Sequence, residues 1–163
     1  MTHPISTLGA IHTALSIIPV IAGLVAFVRY GRIDPGNAVG KAYIAGMVVS
    51  IFTSFGLSST GHFNPGHALG IVALIAMLAG ALAPRIAFLG RAARYLQTLA
   101  MSFSFFLLLV PGTNETLSRL PVDHPLGAGI DSPVVQSALK GLVLLFLLGI
   151  AYQMFALSRQ RRN

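Results

Sequence analysis

Two of the chain's five histidines sit in one short Pro/Gly turn, "GHFNPGH", residues 61–67. Neutral imidazole is a common ligand for zinc, copper and iron, and it is also the side chain that titrates nearest neutrality. His62 and His67 are separated by Pro65 and Gly66, so they do not share a helix face, and no H-E-x-x-H pair of a zinc protease helix is formed. His12 lies a little beyond Leu8 in the first apolar run, about 6 Å along a helix that rises 1.5 Å per residue. His124 stands with Glu115 and Asp123 in a later polar stretch, where these groups can complete a ligand set. A b-type haem needs ligands from two facing helices, and His12 and His67 are the pair that fits. Three readings stay open for these residues: binding of a metal ion (Cu, Zn or Fe) or b-type haem, proton handling, or amphipathic rings seated at headgroup level.

Lys140 is the one ionisable residue well inside an apolar run, with Gln136 on the same side. A lysine at a bilayer centre costs about 3 kcal/mol, and the surrounding Leu, Val, Ile and Phe residues offset that at about 0.3–0.6 kcal/mol each. Its stem can instead reach outward toward Asp131, Asp123 or Glu115 as charge partners. A second constellation is the stripe Gly46, Ser50, Ser54 and Ser58 at four-residue spacing. Small residues so spaced let helices approach closely, and a polar path would use the same stripe. Ala76, Gly80 and Pro84 extend the small-residue theme, and Pro19 is placed to kink the first span.

The elements that must hold these residues are helices in a membrane. The chain is 55% hydrophobic and 9% charged, with mean hydropathy +0.78, which leaves too few charges to clothe a soluble core of 163 residues. Five runs are apolar enough to cross, at residues 8–28, 42–59, 67–83, 92–110 and 134–157. Breakers separate them: "YGRIDPGN", "GHFNPG", "PRIAFLGR" and "PGTNETLSRLPVDHPLGAGIDSP". One transmembrane domain, residues 1–163, accounts for the chain. The start "MTHPISTLGA" lacks the basic n-region of a signal peptide, so the first run is expected to be a retained span.

Charge sets the expected orientation. With five crossings, Arg29, Arg32, Lys41, Arg85, Arg91, Arg94, Arg159, Arg161 and Arg162 fall on one side, against Arg119 on the other. Basic residues in short loops stay cytoplasmic, which puts the N-terminus outside and the C-terminus in the cytoplasm of a bacterial inner membrane. All five histidines then face outward. The net charge of +7 is spent on helix ends and forms no aromatic-lined basic stripe, so nucleic acid is not an expected partner. Absence of cysteine excludes disulfides, thiolate metal sites and covalently attached haem. The sequence also carries no phosphate loop, no G-x-S-x-G elbow and no close acidic pair within a span.

The run "LGAIHTALSIIPVIAGLVAFVRYGRIDPGNAVGKAYIAGMVVS", with an early histidine, a Gly/basic loop and "GKAYIAGM" opening the second span, resembles the bacterial multi-span family filed as a domain of unknown function, number 2306. The resemblance covers roughly the first half of the chain and implies a helical inner-membrane protein. The family's first-span histidine would correspond to His12, whereas "RIDPGN" stands where members often carry a second histidine. No activity comes with the resemblance.

The expectation is thus an all-α integral membrane bundle of five helices. Its outward histidines, His12, His62, His67 and His124, would bind a metal ion or b-type haem in a redox or metal-handling role without catalysis. Two alternatives stand beside it: an accessory or scaffold subunit with membrane-protein partners or further copies of itself, and a small transporter or channel.

Overall fold

A computed structural model describes residues 7–57 and 64–159. The described residues form five long helices and no strand: α1 (Thr7–Tyr30), α2 (Ala38–Phe55), α3 (Pro65–Leu82), α4 (Ala92–Arg119) and α5 (Pro133–Arg159). All five are long and apolar enough to span a membrane. Two short 3-10 turns, Ala83–Arg85 and Ala87–Leu89, link α3 to α4.

The ends of the elements follow from local chemistry, and they move two expected boundaries. The second helix begins at Ala38 and not at residue 42, because Asn37 is an N-cap whose Oδ1 accepts from Gly40 N at 2.8 Å. Asp34 shapes the turn before it by accepting from Gly36 N at 2.9 Å. The third helix starts on Pro65, which suits a first position that has no intrahelical partner for its N–H. The fourth runs through Pro111 to Arg119 instead of stopping at residue 110. Proline removes one backbone bond there, and the extension is held by the Glu115–Arg119 pair one turn apart and by Gly127 N donating to Leu117 O at 2.9 Å. Residues 58–59 of the expected second span lie outside the described residues.

Successive helices run antiparallel, each packed on the next. Helix α1 meets α2 with His12 beside Thr53 near one end and Pro19 against Gly46 in the middle. Helix α3 lies on α4 with Gly80 against Met101, and α5 lies on α4 through the rings of Phe106 and Phe146, 5.0 Å apart. The core is Ala22, Ala26, Tyr43, Met47, Met77 and Met101 with Phe105, whose ring meets Phe27 edge-on at 5.2 Å. Inside it, the Tyr43 hydroxyl bonds Ser104 Oγ at 2.8 Å, so neither polar atom is left bare.

The antiparallel order gathers charge by end. Arg29, Arg32, Lys41, Arg85, Arg91, Arg94 and Arg159 share the end where α1 and α5 finish and α2 and α4 begin, with Asp34 the carboxylate among them. Glu115, Asp123 and Asp131 stand at the other end with Arg119.

A Cβ added at Gly46 would lie 2.8 Å from Pro19 Cδ, whereas one at Gly141 on α5 meets nothing. Gly46→Leu should therefore destabilise the bundle by about 1–3 kcal/mol through overpacking, and Gly141→Leu should leave it unchanged. Thermal unfolding of the two variants in one detergent checks this; equal midpoints would show that α1 and α2 are not in close contact at Gly46.

Candidate functional site

The bundle has polar clusters at both ends, and they differ in how fully their donors are used. The first cluster holds the histidines. Thr53 Oγ1 lies 2.9 Å from Val49 O and 3.0 Å from Ser50 O, so its proton goes to a backbone carbonyl and its lone pair accepts from His12 Nδ1–H at 2.8 Å. Nε2 of the same ring then accepts from Ser16 Oγ at 3.4 Å, and Ser50 Oγ donates to Ser16 Oγ at 2.6 Å. Residues from α1 and α2 are thereby joined in one chain of bonds.

His67 is buried at the third position of α3 and belongs to its cap. Asn64 Oδ1 accepts from His67 N at 3.1 Å, and His67 Nδ1 accepts from Asn64 N at 3.4 Å. With Nδ1 accepting, Nε2 carries the proton and donates to Ser54 O at 3.3 Å, while the ring packs on Phe55 with centroids 5.1 Å apart. The structure thus brings His12 and His67 to consecutive residues of α2, Thr53 and Ser54, and gives both nitrogens of each ring a hydrogen-bond partner.

The remaining expected ligands do not join them. His124 and Asp123 are exposed in the loop after α4, and Glu115 is paired with Arg119. His62 lies outside the described residues, among which no group of three or more His, Asp or Glu is placed to hold a metal ion. Lys140 is exposed on α5, about two turns from its start, and forms no ion pair among the described residues. Gly46 is buried against Pro19, Ser50 is buried on Ser16, and Ser54 Oγ donates back to Ile51 O at 2.7 Å; Ser58 lies outside the described residues.

The second cluster was not among the expected sites. Gln153 of α5 is buried, accepts through Oε1 from Ser102 Oγ–H at 2.8 Å, and donates through Nε2 to Gly31 O at 2.8 Å. Gly31 ends α1 at φ +70, donating to Phe27 O at 3.0 Å, a left-handed cap that suits glycine and turns its carbonyl toward α5. On one side of Gln153 lies a polar cavity of about 460 Å³, bounded by Tyr30, Arg32, Asp34, Asn37, Thr98 and Tyr152. On the other is an apolar groove of about 380 Å³ between α1, α4 and α5, walled by Leu24, Phe27, Phe105, Phe106, Leu142 and Phe146. Gly31, Tyr152 and Gln153 border both spaces, so the cavity and the groove lie side by side about this junction and together form a two-part cleft.

Both volumes fall within the range of about 300–1,000 Å³ usual for small-molecule sites. Thr98 lines the polar part at 1% exposure, and its Oγ1 has no hydrogen-bond partner among the described residues. A signal for this site exists in the sequence. Gln153 is the one amide within the Leu-rich stretch 141–157, and a polar side chain so placed needs a partner.

No family model matches the chain, nor does any curated protein or solved structure. The likeness of its first half to a multi-span family therefore stands on the residues of that half alone.

Gln153→Leu strands the Ser102 hydroxyl and the Gly31 carbonyl, and should cost about 1–3 kcal/mol. Combined with Ser102→Ala, the loss should fall short of the sum of the single losses, because both changes break one bond. A double-mutant cycle on unfolding in detergent reads the difference; strict additivity would show that the two side chains do not interact.

Proposed function

We propose that this chain is a multi-pass protein of a bacterial cytoplasmic membrane, with its N-terminus outside, which holds an amphiphile from the bilayer in the cleft between α1, α4 and α5. The role is one of binding without catalysis. The observation that carries it is the adjacency, at Gln153, of a groove walled by Phe and Leu and a cavity walled by Arg32, Asn37 and Thr98. A free polar solute would leave the groove unused, and a hydrocarbon would leave the polar wall of the cavity unused. A molecule with one apolar and one polar end satisfies both.

Helix α5 supports the same reading. Only 6% of its apolar window is buried within the protein, against 44% for α4, so its contact with the bundle leaves the groove open to lipid along one side. This bare helix also favours a second reading, an accessory subunit whose α5 packs on another membrane chain. Binding of a metal ion or haem draws on the convergence of His12 and His67 at α2, and requires at least one ring to give up the partners described above.

The orientation rests on the basic end being cytoplasmic. The chain has no cysteine, so single-cysteine variants report it directly. Ser158→Cys should react with a membrane-impermeant maleimide only from the cytoplasmic face, and Val122→Cys only from outside. Reversed labelling would invert the orientation.

A Cβ at Gly149, on the wall of the groove, meets no atom within 4 Å, so a larger side chain fits the fold while filling the space. The purified wild-type chain should keep one lipid through detergent delipidation, read by native mass spectrometry, and Gly149→Leu should keep none. Equal retention by the two would remove the groove as the binding place.

A further inference from the structure

At the polar end of the cleft, several side-chain donors have no acceptor among the described residues. Asp34 Oδ1 accepts from Gly36 N at 2.9 Å and its Oδ2 from the Arg32 guanidinium at 3.3 Å, which engages the only carboxylate lining the cavity. Gln153 spends its oxygen on Ser102 and its nitrogen on Gly31. Asn37 spends its oxygen capping Gly40, which leaves its amide N–H groups over. The remaining Arg32 donors complete the surplus, while Thr98 Oγ1, without a hydrogen-bond partner among the described residues, is enclosed by protein. The cavity also lies at the end that carries Arg29, Lys41, Arg91, Arg94 and Arg159 besides Arg32.

Resting on the reading of the cleft as an amphiphile site, we propose that the occupant is a glycerophospholipid with an anionic head, its phosphate oxygens accepting from Arg32 and Asn37 and one acyl chain lying in the Phe/Leu groove. A quaternary ammonium head finds only a carboxylate already engaged by Arg32 and Gly36. An uncharged head gives the remaining N–H groups of the Asp34-paired guanidinium no charge-assisted acceptor, at an end where cations outnumber carboxylates. Charge-assisted bonds from guanidinium to phosphate are the strong donors of such a site. The groove beside the cavity favours a phospholipid over free phosphate, which uses none of the apolar wall.

The test is native mass spectrometry of the full chain, delipidated in detergent and then offered dioleoyl phosphatidylglycerol, dioleoyl phosphatidylcholine or dioleoylglycerol, with inorganic phosphate as competitor. Phosphatidylglycerol should be retained about tenfold more tightly than the other two, as expected for a charge-assisted bond. Inorganic phosphate should not displace it. Arg32→Gln should erase most of that preference, while Arg32→Lys, which keeps a cation, should preserve much of it. Equal retention of all three lipids, unchanged in Arg32→Gln, would overturn the anionic head and leave the amphiphile cleft standing. Displacement by inorganic phosphate would overturn the lipid as the source. No lipid retained by the wild type, or retention untouched by Gly149→Leu, would instead overturn the cleft reading beneath it.

Discussion

The side-chain amide of Gln153 fastens α5 to α1, and the shape of the cleft depends on it. Along most of its length α5 touches the bundle through α4, by apolar contacts such as Phe106 on Phe146. Near its C-terminal end one amide reaches two helices at once, taking a proton from Ser102 and giving one to the carbonyl that the left-handed Gly31 turns outward. Two bonds of 2.8 Å fix the distance between α1 and α5 at that level. In an apolar setting such bonds are costly to leave unmade, so the junction stays closed while the groove beside it stays open.

The two ends of the bundle treat polar groups in opposite ways. Around His12 and His67 every ring nitrogen has a partner, and the hydroxyls of Ser16, Ser50 and Thr53 pass their protons along a connected chain. Saturated networks of this kind make a helix contact specific, because a shift of α1 against α2 would break several bonds together. At the basic end Thr98 is buried with its hydroxyl unused, and the donors of Arg32 and Asn37 exceed the acceptors around them. One end is saturated within the protein, and the other keeps donors that no described residue accepts.

Much of the fold was legible in the sequence, because a bilayer demands long apolar runs and tolerates few charges. The five runs, the absence of strands among the described residues and the segregation of charge all follow from composition and spacing. The boundaries were less legible where a side chain overruled a general rule. Asn37 starts α2 early by capping Gly40, and the tie between Leu117 and Gly127 with the Glu115–Arg119 pair carries α4 past Pro111. The site was the least legible part. Histidines draw attention by type, yet His67 serves a cap and His12 an interhelical bond. Gln153, Ser102 and Gly31 come from three distant parts of the chain, and only their packing shows that they form one junction.

The lengths of the helices carry one more consequence. Helix α2 has 18 residues and α4 has 28, which at 1.5 Å per residue come to about 27 Å and about 42 Å. In a bilayer, a hydrocarbon layer of about 30 Å would be slightly thicker than the first, held upright, and much thinner than the second, so the last turns of α4, with Glu115 and Arg119, would stand in the headgroup region or force the helix to lean. A protein with a short wall and a long wall presents the surrounding leaflets with two thicknesses to match at once. In a bilayer, tilt would relieve the mismatch of one wall at the expense of the other, so the lipid annulus would be uneven, and a membrane of intermediate thickness would accommodate the bundle with the least deformation.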